Sequence, residues 1–201
     1  MSGKRAEKRR SQIIEAATEA FAKNGYHATR IEDIAHMLKI GHGTFYRYFK
    51  NKLDIFSAVV DRILLRITEA VMNEDPGSAN SLSEYREQIH RIGERLYSAF
   101  LEDAPMARIV FYEALGVDSS LNNKLDDFML MVDDYIGEYL ENGMQKGFLK
   151  ADLDVPILSK AINAMLFFGA KDIMSAPASK EISQRWTRAV SLLMLMGMGA
   201  K

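Results

Sequence analysis

Apolar residues recur along this chain at every third or fourth position and nowhere settle into strict alternation with polar ones. That period predicts helices throughout and no strand. A first helix should run to about Asn24, with Ile13, Ile14, Ala17 and Phe21 on its inner face and Gly25 as its stop. Thr29 and Glu32 have the spacing of a capping box and predict the start of a second helix, whose buried face is Ile31, Ile34, Ala35 and Leu38. Gly41 marks a turn, and a short third helix covers roughly His42 to Phe49. From about Asn51 a long fourth helix carries Ile55, Phe56, Val59, Val60, Ile63, Leu64 and Ile67, ending before the loop signal Pro76-Gly77.

The pattern continues beyond that loop. Ser81-x-x-Glu84 is a second capping box, opening a fifth helix striped by Tyr85, Ile89, Ile92, Leu96 and Phe100. A sixth helix spans about Ala104 to Leu115, and a seventh carries Leu121, Leu125, Phe128, Val132, Tyr135 and Tyr139. The stretch from Gly143 to Leu153 breaks the period; Pro156 then sits in the first turn of an eighth helix, and Ser179 starts a ninth. The expected fold is all-α with about nine helices.

Composition sharpens this picture in two places. Zero cysteines exclude a disulfide framework and any thiolate metal or redox site, and suit a reducing, cytoplasmic setting. The longest apolar runs, Ala164 to Ala170 and Leu192 to Met198, are far too short to cross a bilayer, so a soluble chain with no membrane partner is expected. The net charge of −1 conceals an asymmetry: residues 1–52 hold 11 Lys and Arg against 5 Asp and Glu, and the remainder holds 15 against 22. A basic first quarter on an acidic body directs a polyanionic partner to the first part only. Lys4, Arg5, Lys8, Arg9 and Arg10, with almost nothing to bury, predict a disordered arm that follows phosphates.

Two short helices joined by a glycine-containing turn, inside the basic segment, form the layout of a helix-turn-helix. On its second helix Arg47 can donate two hydrogen bonds to guanine, His42, Thr44, Tyr46 and Tyr48 offer groups for base edges or phosphates, and Gly43 admits close backbone approach. Phe45 and Phe49 belong to the core, since aromatics on every face of so short a helix cannot all be buried. Arg30, in the first turn of the preceding helix, is a further phosphate candidate.

The run Gly25-Tyr-x-Ala-Thr29, Asp33-Ile-Ala35 and Gly43-Thr-Phe-Tyr-x-Tyr-Phe-x-Asn-Lys52 resembles the DNA-binding domain of the TetR family. The resemblance implies a DNA-binding domain over 8–68 and an effector-binding and dimerisation domain over 69–201. It implies backbone or base contacts from Thr44 and Tyr46, base reading by Arg47 and Tyr48, and a phosphate held by Lys52. Two positions depart from the family: Gly41 stands where a serine commonly caps the recognition helix, and Lys39 where a glycine commonly precedes it. By the same resemblance the last two helices pair with their copies in a homodimer, which supplies the second head that a palindromic operator requires.

The middle helices of the family enclose an effector cavity. Candidate lining residues are Gly93, Met106, Arg108, Phe111, Tyr112, Phe128, Met131, Tyr135, Met165 and Phe168, for an effector of mainly apolar character. Gly93 leaves space within an apolar stripe, and Arg108 would pair with an internal carboxylate or an anionic ligand, or else extend to solvent. The implied function is an effector-released repressor that needs no cofactor, metal or catalytic residue. One alternative is a DNA-binding dimer without a small-molecule effector. A remote one is a carboxylate-rich helical metalloenzyme, raised by Glu87-x-x-His90 and the aspartate pairs Asp126-Asp127 and Asp133-Asp134. A second Glu-x-x-His is missing from the sequence, so that alternative lacks half of its ligand set.

Overall fold

The computed structural model describes residues 2–175 and 179–199. Among them the regular elements are helical: α1 (Ser2–Asn24), α2 (Ile31–Met37), α3 (His42–Tyr46), α4 (Lys52–Val71), α5 (Leu82–Glu102), α6 (Ala104–Arg108), α7 (Ser119–Gln145), α8 (Val155–Ser175) and α9 (Ser179–Met198). The only β-type pairing among the described residues is an isolated bridge between Leu149 and Gly199. The chain divides into two compact units: Met1–Leu65 with Ala104–Asn123, and Arg66–Asp103 with Lys124–Lys201. The first unit therefore takes α6 from the middle of the sequence, a partition that differs from the 8–68 and 69–201 division implied by the family.

Several boundaries differ from expectation for identifiable reasons. The basic arm is helical from Ser2, because Lys, Arg, Ala and Glu all favour a helix. The start of α2 lies one residue later than the Thr29 capping box. Arg30 occupies the cap with extended backbone, and its N–H donates to Asp33 Oδ2 at 2.9 Å, the reciprocal contact expected of Glu32. The Thr29 hydroxyl turns inward instead, donating to Gly25 O at 2.7 Å and Ala20 O at 3.2 Å. In α5 the Ser81 cap forms as expected, accepting from the Glu84 N–H, although Glu84 Oε2 takes the N–H of Asn80.

The α-helical part of α6 stops at Arg108, and Ile109–Glu113 continue as a π-helical turn closed by Ala114 N–H to Ile109 O at 3.0 Å. Gly143 does not end α7; the helix runs through it to Gln145, and the glycine serves close packing instead, since a side chain there would collide with Leu149 and the Tyr85 hydroxyl. The turn comes at Gly147, whose φ of +72° favours glycine.

Each unit has its own core. In the first, Ile13, Phe21, Ile34, Phe45, Phe49, Ile55 and Phe56 are almost wholly buried. Phe21 meets Phe56 edge-on at 4.8 Å between ring centres, and Tyr26 lies 4.7 Å from Phe56. In the second, α5, α8 and α9 pack together. Its core gathers Tyr85, Tyr139, Leu140, Ile162, Val190 and Met194. The Pro76–Ser78 turn is held there by Gln88 Nε2 to Asp75 O, Asn142 Nδ2 to Pro76 O and Lys146 Nζ to Gly77 O.

Candidate nucleic-acid interface

The α2–α3 pair is set by a helix end that uses no glycine. After α2 the N–H of Lys39 returns to His36 O and that of Ile40 to Ala35 O, both at 3.0 Å. These are the two bonds of a Schellman stop, which places its C′ residue in the left-handed region. Lys39 occupies that place at φ +53°. The position where the family commonly carries glycine is thus the one with left-handed backbone. Gly41 caps α3 at φ −74° and ψ 154°, which any residue adopts, so its own helix end asks nothing of glycine.

Helix α3 divides its side chains cleanly. Phe45 and Phe49 point into the core, with ring centres 5.9 Å apart. His42, Gly43, Tyr46 and Arg47 are exposed, and Thr44 and Tyr48 are half-buried. The helical segment ends at Tyr46, three residues earlier than expected, and Tyr48 and Phe49 continue in a turn bonded to Phe45 O. Tyr46 is 52% exposed, a large share for an aromatic ring not spent on packing. Arg30 is also exposed, while Arg10 lies over the Phe49 ring at 5.0 Å.

Lys52 is placed otherwise than the resemblance implies. Its ammonium donates to the carbonyls of Tyr26, His27 and Thr29 at 2.8, 3.1 and 3.2 Å, and it lies 4.5 Å from the centre of the Tyr26 ring. Three donors meet three acceptors, so in this arrangement the charge clamps the α1–α2 turn rather than standing free for a phosphate. A carboxylate from far along the chain completes that turn: Glu113 Oε2 accepts the Tyr26 N–H at 2.9 Å, beneath Gly25 at φ +80°. Burial pushes the Tyr26 phenol above its ordinary range, and Asp118 adds to the shift. Nothing in the spacing of residues 25–56 signals Glu113.

The residues expected to line an effector pocket do not come together. Gly93 and Tyr135 do line one apolar cavity of about 60 Å3 inside the second unit. Met106 and Phe111 are buried in the first unit, because α6 packs on α1. Arg108 and Tyr112 on the same segment are exposed. Phe128 and Met165 are half-buried, and Met131 is exposed. Phe168 is 65% exposed, in company with Leu192, Leu193 and Met196 on α9. Sequence reasoning missed Tyr97 and Thr187, which do line the cavity; Tyr97 stands one helical turn beyond Gly93, and that spacing was the available signal. Glu87 and His90 are exposed, His90 lying 3.4 Å from Glu94. Asp133 accepts from Asn163 at 2.7 Å.

A basic N-terminal segment, a glycine-bearing turn and a short helix with an outward Tyr46 and Arg47 define a helix-turn-helix DNA-binding protein. Residues 13–59 match the model of the bacterial regulatory proteins of the tetR family. The fatty acid metabolism regulator protein of Bacillus subtilis (strain 168) is 27% identical over 151 residues, covering 75% of this chain and 76% of that protein. Among solved structures, the fatty acid degradation regulator FadR of Bacillus halodurans superposes with a TM-score of 0.74 at 22% identity, over 94% of this chain and 95% of that one. FadR of Bacillus subtilis, solved in complex with stearoyl-CoA, gives 0.69 at 23%, over 93% and 98%. Residues 13–59 thus carry the DNA-binding domain of the tetR family, and the chain is a DNA-binding transcriptional regulator, not an enzyme. No helix among the described residues is long and apolar enough to cross a membrane.

Proposed function

We propose that this regulator is a cytoplasmic homodimeric repressor that binds a palindromic operator through α3 and is released by a mainly apolar effector held in the second unit. The exposure of Phe168 on α8 and of Leu192, Leu193 and Met196 on α9 supports the dimer reading, since Met196 alone is 77% exposed and large apolar side chains left in water mark interaction surfaces. His42, Gly43, Thr44, Tyr46, Arg47 and Tyr48 are the reading set, with Arg30 on a phosphate. The apolar effector is supported by the apolar cavity and by the stearoyl-CoA bound to the similar Bacillus subtilis regulator. A dimer acting without a small-molecule effector is the competing reading, and the small size of the cavity favours it.

Site selection from random duplexes with the purified protein should return a two-fold repeat. Arg47→Ala should then cost about 1–3 kcal/mol at that site and relax preference at one base position per half-site. Equal binding of all sites by parent and variant would remove Arg47 from the reading set. Calorimetry of a cavity ligand with and without saturating operator separates the two effector readings, because an inducer must bind operator-bound protein more weakly by the factor it weakens DNA binding.

A further inference from the structure

The walls of the cavity in the second unit are apolar almost throughout, with Ile92, Leu96, Ile162 and Met194 among them, and none of the residues lining it is charged. Tyr97, Tyr135, Tyr139, Thr187 and Ser191 bring hydroxyls to the lining, and those of Tyr135 and Tyr139 are already bonded to each other and to Glu74 O. Tyr97 is fully buried and Thr187 is 3% exposed, and neither Tyr97 Oη nor Thr187 Oγ1 has a hydrogen-bond partner. An unpartnered buried hydroxyl is costly, and buried polar groups are satisfied in nearly all native structures. The two are also closely seated. A Cβ on Gly169 would fall 2.5 Å from Tyr97 Oη, and one on Gly93 would fall 3.4 Å from Thr187 Cγ2. Gly169 and Gly93 thus let the Tyr97 and Thr187 side chains pack closely beside the apolar cavity.

Thr187 also lines a second depression, an open groove of about 660 Å3 whose other walls include Glu94, Ser98, Glu102, Lys180 and Ser183. Thr187 is therefore shared between the apolar cavity and an open groove. Its own volume of about 60 Å3 lies far below the roughly 300–1,000 Å3 typical of ligand sites. A ligand must widen it, and the flexible Met194 and Leu96 are walls able to give.

We infer that this cavity takes an uncharged, mainly apolar molecule bearing one carbonyl or hydroxyl, which the Tyr97 and Thr187 hydroxyls hold and which enters from the groove beside Thr187. The inference rests on the effector reading above and specifies its chemistry. A carboxylate is a poor occupant, because the walls supply no cation to offset its desolvation. An alkane fills the space but leaves both hydroxyls unpaired. The carbonyl or hydroxyl is what distinguishes the preferred ligand from a purely apolar one.

Trp186 is the single tryptophan of the chain. Its ring lies 3.0 Å from the same Gly169 Cβ position that nearly touches Tyr97 Oη, so its fluorescence reports on the surroundings of the Tyr97 hydroxyl. The test titrates the full-length protein with 2-heptanone, heptane and, at mildly alkaline pH, ionised heptanoate. The ketone should bind more tightly than the alkane, and heptanoate should bind weakest. Tyr97→Phe and Thr187→Val should each weaken the ketone on the order of 3- to 10-fold and leave heptane unchanged. Both variants should melt no lower than the parent, because each removes a buried group that has no partner. The site is rejected if the ketone fails to bind, if it binds no better than heptane, if heptanoate binds best, or if the variants lose heptane as well. Operator affinity measured in the same samples tests the other claim: a ketone that binds as stated without changing DNA affinity keeps the site and overturns the effector reading.

Discussion

The two units of this chain treat their buried polar groups differently. In the first, the turn between α1 and α2 leaves little unpaired: Thr29 donates within the turn, Lys52 supplies three carbonyls, and Glu113 takes the Tyr26 N–H. Its core is built from interlocking phenylalanines. In the second, Gln88 Oε1, Tyr97 Oη, Ser159 Oγ and Thr187 Oγ1 are buried without partners, and these are all such side-chain atoms found among the described residues. The large apolar side chains of α8 and α9 lie partly outside rather than within. A reading head must keep one geometry, because in the proposed dimer two heads would meet successive major grooves only at a fixed spacing. A unit that accepts ligands and partners gains from surfaces that remain unfinished until they are occupied.

Two phenylalanines put that contrast to its hardest test. Phe56→Ala should remove about 3–5 kcal/mol of stability, as expected for a fully buried ring among other rings. Phe168→Ala should leave the folded chain within about 0.5 kcal/mol of the parent, while raising the dissociation constant of the proposed dimer. Urea titration and light scattering separate the two. The contrast fails if Phe168→Ala destabilises the chain as much as Phe56→Ala does.

A smaller effect is expected at Lys52. Lys52→Met keeps the aliphatic stem but withdraws the donor from three carbonyls, so stability should fall by about 1–2 kcal/mol. The salt dependence of operator binding should then barely change. A stable variant with a salt slope reduced by about one unit would return Lys52 to the phosphate backbone.

The finest adjustment concerns Lys39. Lys39→Gly should stabilise the protein by about 0.5–1 kcal/mol by relieving left-handed backbone, read as a higher midpoint in urea. A lower midpoint would show that the lysine side chain contributes something that this gain does not cover.

These differences follow what a linear pattern can carry. Phe45 and Phe49 were legible as core and Tyr46 and Arg47 as outward, because a helix of fixed period admits few ways to place four aromatics. The Ser81 cap was legible because its partner lies three residues away. Asp33 escaped because Glu32, one position earlier, satisfied the same spacing rule. Glu113 escaped for a deeper reason: it meets Tyr26 across 87 residues, and no local signal reaches that far. The cavity was half legible. Gly93 announced missing volume, but only packing among α5, α8 and α9 decides which hydroxyls are left without partners.

The bond from Glu113 to Tyr26 bears on how such proteins are recombined. Exchanging reading heads between relatives by cutting in α4 treats residues before the cut as a cassette. Here the cassette is discontinuous, since Ala104–Asn123 belong to the same compact unit as Met1–Leu65. A head transplanted without that second segment arrives with the N–H of Tyr26 uncapped and the inner face of α1 bare where α6 covered it. Inheritance by shuffling therefore favours exchange of both segments together, and a mosaic that mixes them must match a single carboxylate to a single turn.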